Sequence, residues 1–123
     1  MYRENLPTGC PPIDAEDVDN EIVVYRIVHD KPPSDADFES HSAKFPEKTY
    51  ADACKARGVS VFKNPSDIER LKLLSTNKNK PCLTCQIKLK AGAGKIKQTG
   101  TPSHHTWWPL KDFQILQCCE VVE

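Results

Sequence analysis

The fold of this chain is decided by residues 22–28, Ile22-Val23-Val24-Tyr25-Arg26-Ile27-Val28. Successive side chains of a strand point to opposite faces of its sheet, so alternate residues share a face: Ile22, Val24, Arg26 and Val28 on one, Val23, Tyr25 and Ile27 on the other. Both faces are mainly apolar, which is typical of a strand covered on both sides. The run therefore predicts a central strand.

Helices are predicted mainly in the first half, over Ser34–Phe38, Pro46–Arg57 and Asn64–Thr76. Ser34 and Asp37 have the spacing of a capping box, which would carry Phe38 inward. Gly58 is a typical residue to end the second helix. Asn64 followed by Pro65 is a strong signal for the start of the third.

Strands are predicted mainly in the second half, over Val59–Phe62, Cys82–Lys90, Lys95–Gln98, Thr106–Trp108 and Phe113–Val122. Such segregation of helices and strands favours the α+β class, with a small, mostly antiparallel sheet. We expect a single domain over residues 22–123, preceded by an acidic, proline-containing arm over residues 1–21.

The net charge of zero conceals an uneven distribution. Residues 1–69 hold fourteen acidic and eight basic side chains, whereas residues 70–111 hold nine basic and no acidic ones. A basic surface of this kind favours a partner that carries phosphate, although acidic and basic parts of one chain can also neutralise each other. Lys95 and Lys97 are candidate phosphate ligands.

Targeting signals are not evident in the sequence. No run of 18 apolar residues predicts a membrane span, and the first twenty residues lack the apolar core of a signal peptide. We therefore expect a cytoplasmic protein whose six cysteines are reduced thiols. Cys82 and Cys85 have zinc-knuckle spacing, but the second pair, Cys118-Cys119 or His104-His105, consists of adjacent residues that diverge on a strand, so no metal site is expected.

Arg26 is the first candidate for a functional side chain. An arginine within an apolar strand needs a partner, because a buried unpaired charge is strongly unfavourable. That partner is either a carboxylate of the protein or an anionic ligand.

The second candidate is the run His104-His105-Thr106-Trp107-Trp108. Histidine can act as a general acid or base near neutral pH, and tryptophan can stack on a base or nicotinamide ring. Alternation along a strand would separate His105 and Trp107 from the other three residues. Core packing is the alternative role for one member of each pair.

Two resemblances to known families follow from these motifs. The order Tyr25–Val28, Gly58–Phe62 and Pro102–Trp108 resembles a family of small bacterial proteins of uncharacterised function. Val24-Tyr25-Arg26, followed by Pro32-Pro33, is similar to the mono-ADP-ribosyltransferase toxins. The second resemblance implies NAD as a cofactor, with Arg26 as the NAD-binding arginine and Ser60 as the serine that braces the site.

Two functions are compatible with these features. The first is a domain that binds a nucleotide, NAD or nucleic acid, with Arg26, Thr106, Trp107 and Trp108 as ligand contacts, and that performs group transfer or cleavage through His104, His105 and Ser60. The second is a non-enzymatic interaction protein, such as an antitoxin, immunity protein or phage-encoded inhibitor, in which the acidic arm binds a partner protein.

Overall fold

The computed structural model describes residues 1–74 and 81–122. Its strands are β1 (Glu16–Asp17), β2 (Ile22–Val28), β3 (Val59–Phe62), β4 (Leu83–Leu89), β5 (Gly94–Gln98), β6 (His104–Pro109) and β7 (Cys119–Val121). Its α-helices are α1 (His41–Lys44), α2 (Ala53–Ala56) and α3 (Pro65–Lys72), and 3-10 helices span Asp35–Phe38 and Ile115–Gln117.

All seven strands form one antiparallel sheet in the order β1-β5-β6-β3-β2-β4-β7. β2 pairs with β4 over all seven of its residues, from Ile22 opposite Leu89 to Val28 opposite Leu83. The prediction that residues 22–28 form an interior strand is confirmed.

The predicted α+β class with a helix-rich first half is wrong, because the fold is mainly β. The predicted helix over Pro46–Arg57 is reduced to the four residues of α2. Asp52 caps that helix by accepting a hydrogen bond from the Lys55 amide (2.9 Å), so the helix cannot begin earlier. The Tyr50 hydroxyl donates to carbonyl oxygens of residues 41 and 45 and holds the preceding segment as a turn.

The bounds of the other helices and strands agree with the local sequence signals to different degrees. The capping box at Ser34 forms, and the helix after Asn64 begins at Pro65 as predicted. The predicted end of that helix near Thr76 lies outside the described residues. The predicted strand Phe113–Val122 is wrong for its first half, since a 3-10 helix occupies Ile115–Gln117 and only Cys119–Val121 is extended.

An apolar cluster covers one face of the sheet. Val24, Val61, Ile87 and Trp107 come from four adjacent strands and are fully buried. Phe38 packs onto them from the 3-10 helix, which is the inward position predicted for it. Burial of each such side chain contributes roughly 1.5–3 kcal/mol, so this cluster dominates the stability of the fold.

The opposite face of β2 and β4 is covered by α3. Ile68 of that helix is fully buried. Glu69 accepts a hydrogen bond from the Thr84 hydroxyl on β4 (3.0 Å), and Thr84 points away from its neighbour Cys85 in the core cluster. β2 therefore has protein on both sides, as its apolar side chains require.

The N-terminal arm is tied to the sheet. Tyr2 forms a bridge with Leu110, and β1 pairs with β5 at the sheet edge. Cys10 forms a disulfide with Cys54 of α2, with 5.4 Å between the Cα atoms. The prediction that all cysteines are reduced is thus wrong for these two, because only the folded chain shows that residues 44 positions apart meet.

No helix in the described part of the chain is long and apolar enough to cross a bilayer.

Candidate functional site

The aromatic run on β6 divides between the two faces of the sheet. Trp107 pairs with Val59 and His105 with Val61, and both valines belong to the core. Thr106 pairs with Ser60 and His104 with Phe62 on the other face. The predicted alternation of side chains along this strand is therefore present.

Both tryptophans are inside the protein. Trp107 is 0% exposed and its indole N–H donates to the carbonyl oxygen of Ala93 (3.1 Å). Trp108 is 2% exposed and donates to the carbonyl oxygen of Cys54 (3.0 Å). Because neither ring has an accessible face, neither can stack on a ligand in this conformation.

The position of Trp108 explains the glycine that precedes β3. A Cβ atom at residue 58 would clash with Cγ2 of Thr106 and would lie 3.2 Å from the indole nitrogen of Trp108. Gly58 thus lets α2 lie directly on the sheet. Thr106 is itself buried, and its hydroxyl is 2.8 Å from that of Thr99, so it is not a ligand contact either.

Lys95 and Lys97 are paired with the acidic arm. Nζ of Lys95 lies 3.1 Å from a carboxylate oxygen of Asp17, and Nζ of Lys97 lies 2.7 Å from one of Asp14. The hydrogen bond from Lys97 lowers the pKa of Asp14. The arm therefore neutralises the two lysines that the sequence singled out as phosphate ligands.

Arg26 is held by backbone carbonyl groups. Its Nε donates to Asp37 (2.9 Å), Nη1 to Ser60 (2.7 Å) and Nη2 to Glu39 (3.4 Å). Desolvation lowers the pKa of Arg26 to about 10, although the Asp37 carboxylate opposes the shift, so the guanidinium remains charged at neutral pH. These bonds join β2 to β3 and to the 3-10 helix with the residue that follows it. The strands β2 and β3 are themselves paired at Tyr25 and Phe62.

A cavity of about 490 Å³ brings together two of the predicted residues, Ser60 and His104. Its polar lining consists of His41, Tyr50, Asp52, Lys55, Ser60 and His104. The volume lies within the roughly 300–1,000 Å³ of typical small-molecule sites. Ser60 and His104, both predicted catalytic residues, thus meet here.

His104 is oriented by the loop that precedes β6. Its Nδ1 lies within hydrogen-bond distance of the Thr99 carbonyl oxygen and 2.9 Å from the Thr99 hydroxyl. A carbonyl oxygen accepts only, so Nδ1 carries the proton and Nε2 is the nitrogen available to a ligand. The imidazole also contacts the Phe62 ring edge-on, with 5.0 Å between centroids.

His41 is the functional candidate that sequence reasoning missed. It is the first residue of α1, behind the N-cap Ser40, whose hydroxyl accepts from the Ala43 amide (3.1 Å). Desolvation, followed by the positive charges of Arg26, Lys44 and Lys48, lowers the pKa of His41. No motif surrounds this histidine, so only the approach of α1 to β3 and β6 indicates its role.

His105, the third predicted catalytic residue, lies apart from this cavity. It is 7% exposed on the core face, and its Nδ1 is 2.9 Å from the Ser103 carbonyl oxygen. Desolvation lowers the pKa of His105. The hydrogen bond to the Ser103 carbonyl oxygen opposes this shift, and the positive charge of Lys63 adds to it. The structure therefore assigns His105 to the sheet and leaves His41 and His104 as the pair at the cavity.

Two lysines lie in or near the cavity. Lys55 lines it, and the positive charge of Lys48 acts on His41. Neither forms an ion pair with an acidic side chain of residues 1–74 or 81–122. Lys48 lies over the Phe45 ring, 4.4 Å from its centroid. The one acidic side chain in the lining, Asp52, is occupied in capping α2.

Metal ligands do not cluster in threes anywhere within the described ranges. Cys85 and Cys119 are free and interact with each other across β4 and β7, and hydrogen bonding between them lowers the pKa of Cys119.

Taken together, the fold and the cavity define a mainly β domain with an open site lined by two histidines, one lysine and one aspartate. No family model matches the chain, and no curated protein or solved structure is significantly similar to it.

Proposed function

We propose that this protein binds a phosphate-containing ligand, such as a nucleotide, in the cavity between α1, α2, β3 and β6. The observation that supports this function best is that His41 and His104 line the same cavity as Lys55. Imidazole and ammonium groups are both hydrogen-bond donors to phosphate oxygens when charged.

The electrostatic surroundings support an anionic ligand. Lys48 and Lys55 form no ion pair with an acidic side chain of the described chain, and Asp52 is the one carboxylate that shares the lining with Lys55. Positive charge in and beside a cleft concentrates anionic ligands and speeds their association. A small anion entering here would raise the pKa of His41 by opposing the effect of the neighbouring cations.

The two histidines have the complementary properties that acid–base chemistry needs. His41, whose pKa is lowered, is neutral at pH 7 and suited to accept a proton. His104 has Nδ1 engaged with Thr99 and can use Nε2 toward the ligand. Ser60 adds a hydroxyl to the lining. The proposed reacting set is therefore His41, His104 and Ser60, in place of the predicted His104, His105 and Ser60.

Arg26 has a different role in this proposal from the one that the toxin resemblance implies. Its three bonds to carbonyl oxygens position the Ser60 backbone and the chain around Glu39, so we assign it as a positioning residue. NAD nevertheless contains two phosphates and a nicotinamide ring, and it is one of the ligands to be tested.

Nuclear magnetic resonance of the four histidines tests the proposal directly. Inorganic phosphate, adenosine monophosphate or NAD is titrated into the labelled protein at low salt. We expect the ring signals of His41 and His104 to move and the pKa of His41 to rise. His29, whose Nδ1 faces the Pro81 carbonyl oxygen (2.8 Å), is the internal control and stays unchanged.

A matched pair of variants links the signal to the cavity. Lys55→Gln should weaken the response, whereas Lys88→Gln, on the exposed surface of β4, should leave it intact. Uniform shifts of all four histidines, or no shift with any of the three ligands, would contradict the proposal.

The alternative of an interaction protein that acts through its acidic arm has less support. Asp14 and Asp17 are already paired with Lys97 and Lys95. Glu4 accepts from the Ser40 hydroxyl and lies 3.5 Å from Arg57. A partner would have to displace these internal contacts.

We retain a cytoplasmic location as part of the proposal, and the Cys10–Cys54 disulfide makes it testable. Cytosolic thiol buffers keep most cysteines reduced, whereas oxidising compartments preserve disulfides. Alkylation of the protein in freshly lysed native cells, followed by mass measurement, distinguishes the two states of this pair. A fully oxidised pair would argue against the cytoplasm.

A further inference from the structure

We propose that the ligand of this cavity is single-stranded RNA, and that His41 and His104 cleave it by activating the ribose 2′-hydroxyl. This inference rests on the proposed phosphate site and adds a reaction to it. It uses the two histidines, the lysines around them and the aromatic side chain in the lining.

The two imidazoles reach the cavity from separate parts of the chain. His41 comes from α1, and His104 comes from the start of β6. Both line one open cavity, so a phosphodiester bound in that cavity is within the reach of both rings. Cleavage of such a bond needs a base for the nucleophile and an acid for the leaving group, which are two separate proton-transfer sites.

Each ring is suited to one of these sites. His41 is held neutral at pH 7 by desolvation and by neighbouring cations, so its lone pair can accept a proton. The Thr99 carbonyl oxygen fixes the proton of His104 on Nδ1. In the imidazolium form His104 therefore presents a second N–H, on Nε2, and can donate it.

The proposed step conserves atoms and electrons without a further reactant. His41 removes the proton of the 2′-hydroxyl, whose oxygen forms a bond to the adjacent phosphorus. The bond from phosphorus to the 5′-oxygen of the next nucleotide breaks, and that oxygen takes its electron pair and the proton of His104. The products are a 2′,3′-cyclic phosphate and a free 5′-hydroxyl. His41 then releases its proton to solvent and His104 takes one up, which returns both imidazoles to their starting states.

The surroundings of the pair favour a polynucleotide over an isolated phosphate. Lys55 in the lining and Lys48, whose charge acts on His41, supply positive charge at more than one position, and cations spaced along a groove are typical of sites for single strands. The Tyr50 ring lines the cavity, with its hydroxyl bound to two carbonyl oxygens at 2.9 and 3.1 Å. An aromatic ring fixed in this way is a stacking surface for an unpaired base.

The test uses the full chain, with its disulfide intact, and a fluorescent DNA strand that contains one ribonucleotide. We expect cleavage only at that ribonucleotide, in the presence of a metal chelator, and a product whose mass identifies a terminal cyclic phosphate. Methylation of the 2′-oxygen should abolish cleavage, because it removes the nucleophile.

Three single variants assign the activity to the cavity. His41→Gln and His104→Gln should each lower the cleavage rate roughly 10²–10⁴-fold, the usual contribution of a general acid or base. His29→Gln should retain the rate of the original protein. Thermal unfolding monitored by Trp fluorescence verifies that all three variants fold, since both tryptophans are buried.

The outcomes separate this inference from the proposed function. Phosphate-induced shifts of His41 and His104 without cleavage would overturn the reaction and leave the phosphate site standing. Cleavage that persists in both His41→Gln and His104→Gln would also overturn it. Loss of both the shifts and the cleavage would overturn the two proposals together.

Discussion

The two lysines of β5 and the lysines at the cavity differ in whether an acidic side chain neutralises them. Lys95 and Lys97 are each paired with an aspartate of the N-terminal arm. Lys48 and Lys55 form no ion pair with an acidic side chain within the described ranges, and Lys48 contributes to lowering the pKa of His41. An excess of basic residues along a stretch of sequence thus does not locate the cationic surface, because distant acids can neutralise it in the fold.

The largest loss of stability is expected from breaking the disulfide that joins the N-terminal arm, which pairs with the β5 lysines, to α2, which lines the cavity. Cys10→Ala removes the disulfide that joins the arm to α2, which lines the cavity through Lys55. For a sequence separation of 44 residues, chain entropy predicts a loss of about 4 kcal/mol in the free energy of unfolding. Urea denaturation of the variant measures it.

The free cysteines provide the control for that measurement. Cys118→Ala removes a thiol that forms no disulfide, and it should change the free energy of unfolding much less. Equal losses in Cys10→Ala and Cys118→Ala would show that the disulfide does not stabilise the arm.

A matched pair of double variants tests the electrostatic contrast itself. Lys48→Gln with Lys55→Gln removes two charges that form no ion pair in the described chain, and at roughly 1 kcal/mol for each contact with phosphate the affinity falls about 30-fold. Lys95→Gln with Lys97→Gln removes two paired charges and should change the affinity less than about twofold. Calorimetric titration with a single-stranded oligonucleotide compares them. A larger loss of affinity in the variant that carries Lys95→Gln and Lys97→Gln would contradict this contrast.

Neutralising the arm should create a second cationic region. Asp14→Asn with Asp17→Asn leaves Lys95 and Lys97 unpaired, so weak, salt-sensitive binding of the oligonucleotide should increase several-fold at low salt. The increase should disappear when Lys95 and Lys97 are also replaced by Gln. Unchanged binding in the aspartate variant would show that these ion pairs do not mask the lysines.

The smallest effect expected is a dependence of stability on pH. The pKa values of His41 and His105 are lowered in the fold, so below the unfolded histidine value of about 6.5 the unfolded chain binds more protons. The free energy of unfolding should therefore decrease as the pH falls from about 7 through this range. His105→Gln should flatten that decrease when denaturation is repeated between about pH 5 and pH 7.5.

Local patterns were sufficient for several elements. The apolar run 22–28 forms an interior strand because both of its faces are mainly apolar and are covered there. The pair Asn64-Pro65 begins α3 because capping depends on adjacent residues. The prediction of a helix over residues 46–57 was wrong. The apolar spacing of this segment is compatible with a helix, but hydrogen bonds from Tyr50 and the cap at Asp52 restrict the helix to four residues.

The candidate site was only partly accessible to sequence reasoning. His104 and Ser60 were identified from the residues and face one cavity, but His41 lies in a polar stretch without a motif. The aromatic residues beside His104 drew attention as ligand contacts, although their indole N–H groups are satisfied by carbonyl oxygens inside the protein. An indole with an internal partner and an indole at a binding site look the same in sequence.

The sequence by itself determined the interior strand, the start of α3 and the division of the β6 side chains between two faces. These depend on alternation and capping, which act over a few neighbouring residues. Only the tertiary structure decided that Cys10 meets Cys54, that Asp14 and Asp17 neutralise Lys97 and Lys95, and that His41 joins His104. Those contacts join residues far apart in the chain, and their geometry exists only once the sheet has assembled and the arm has paired with its edge.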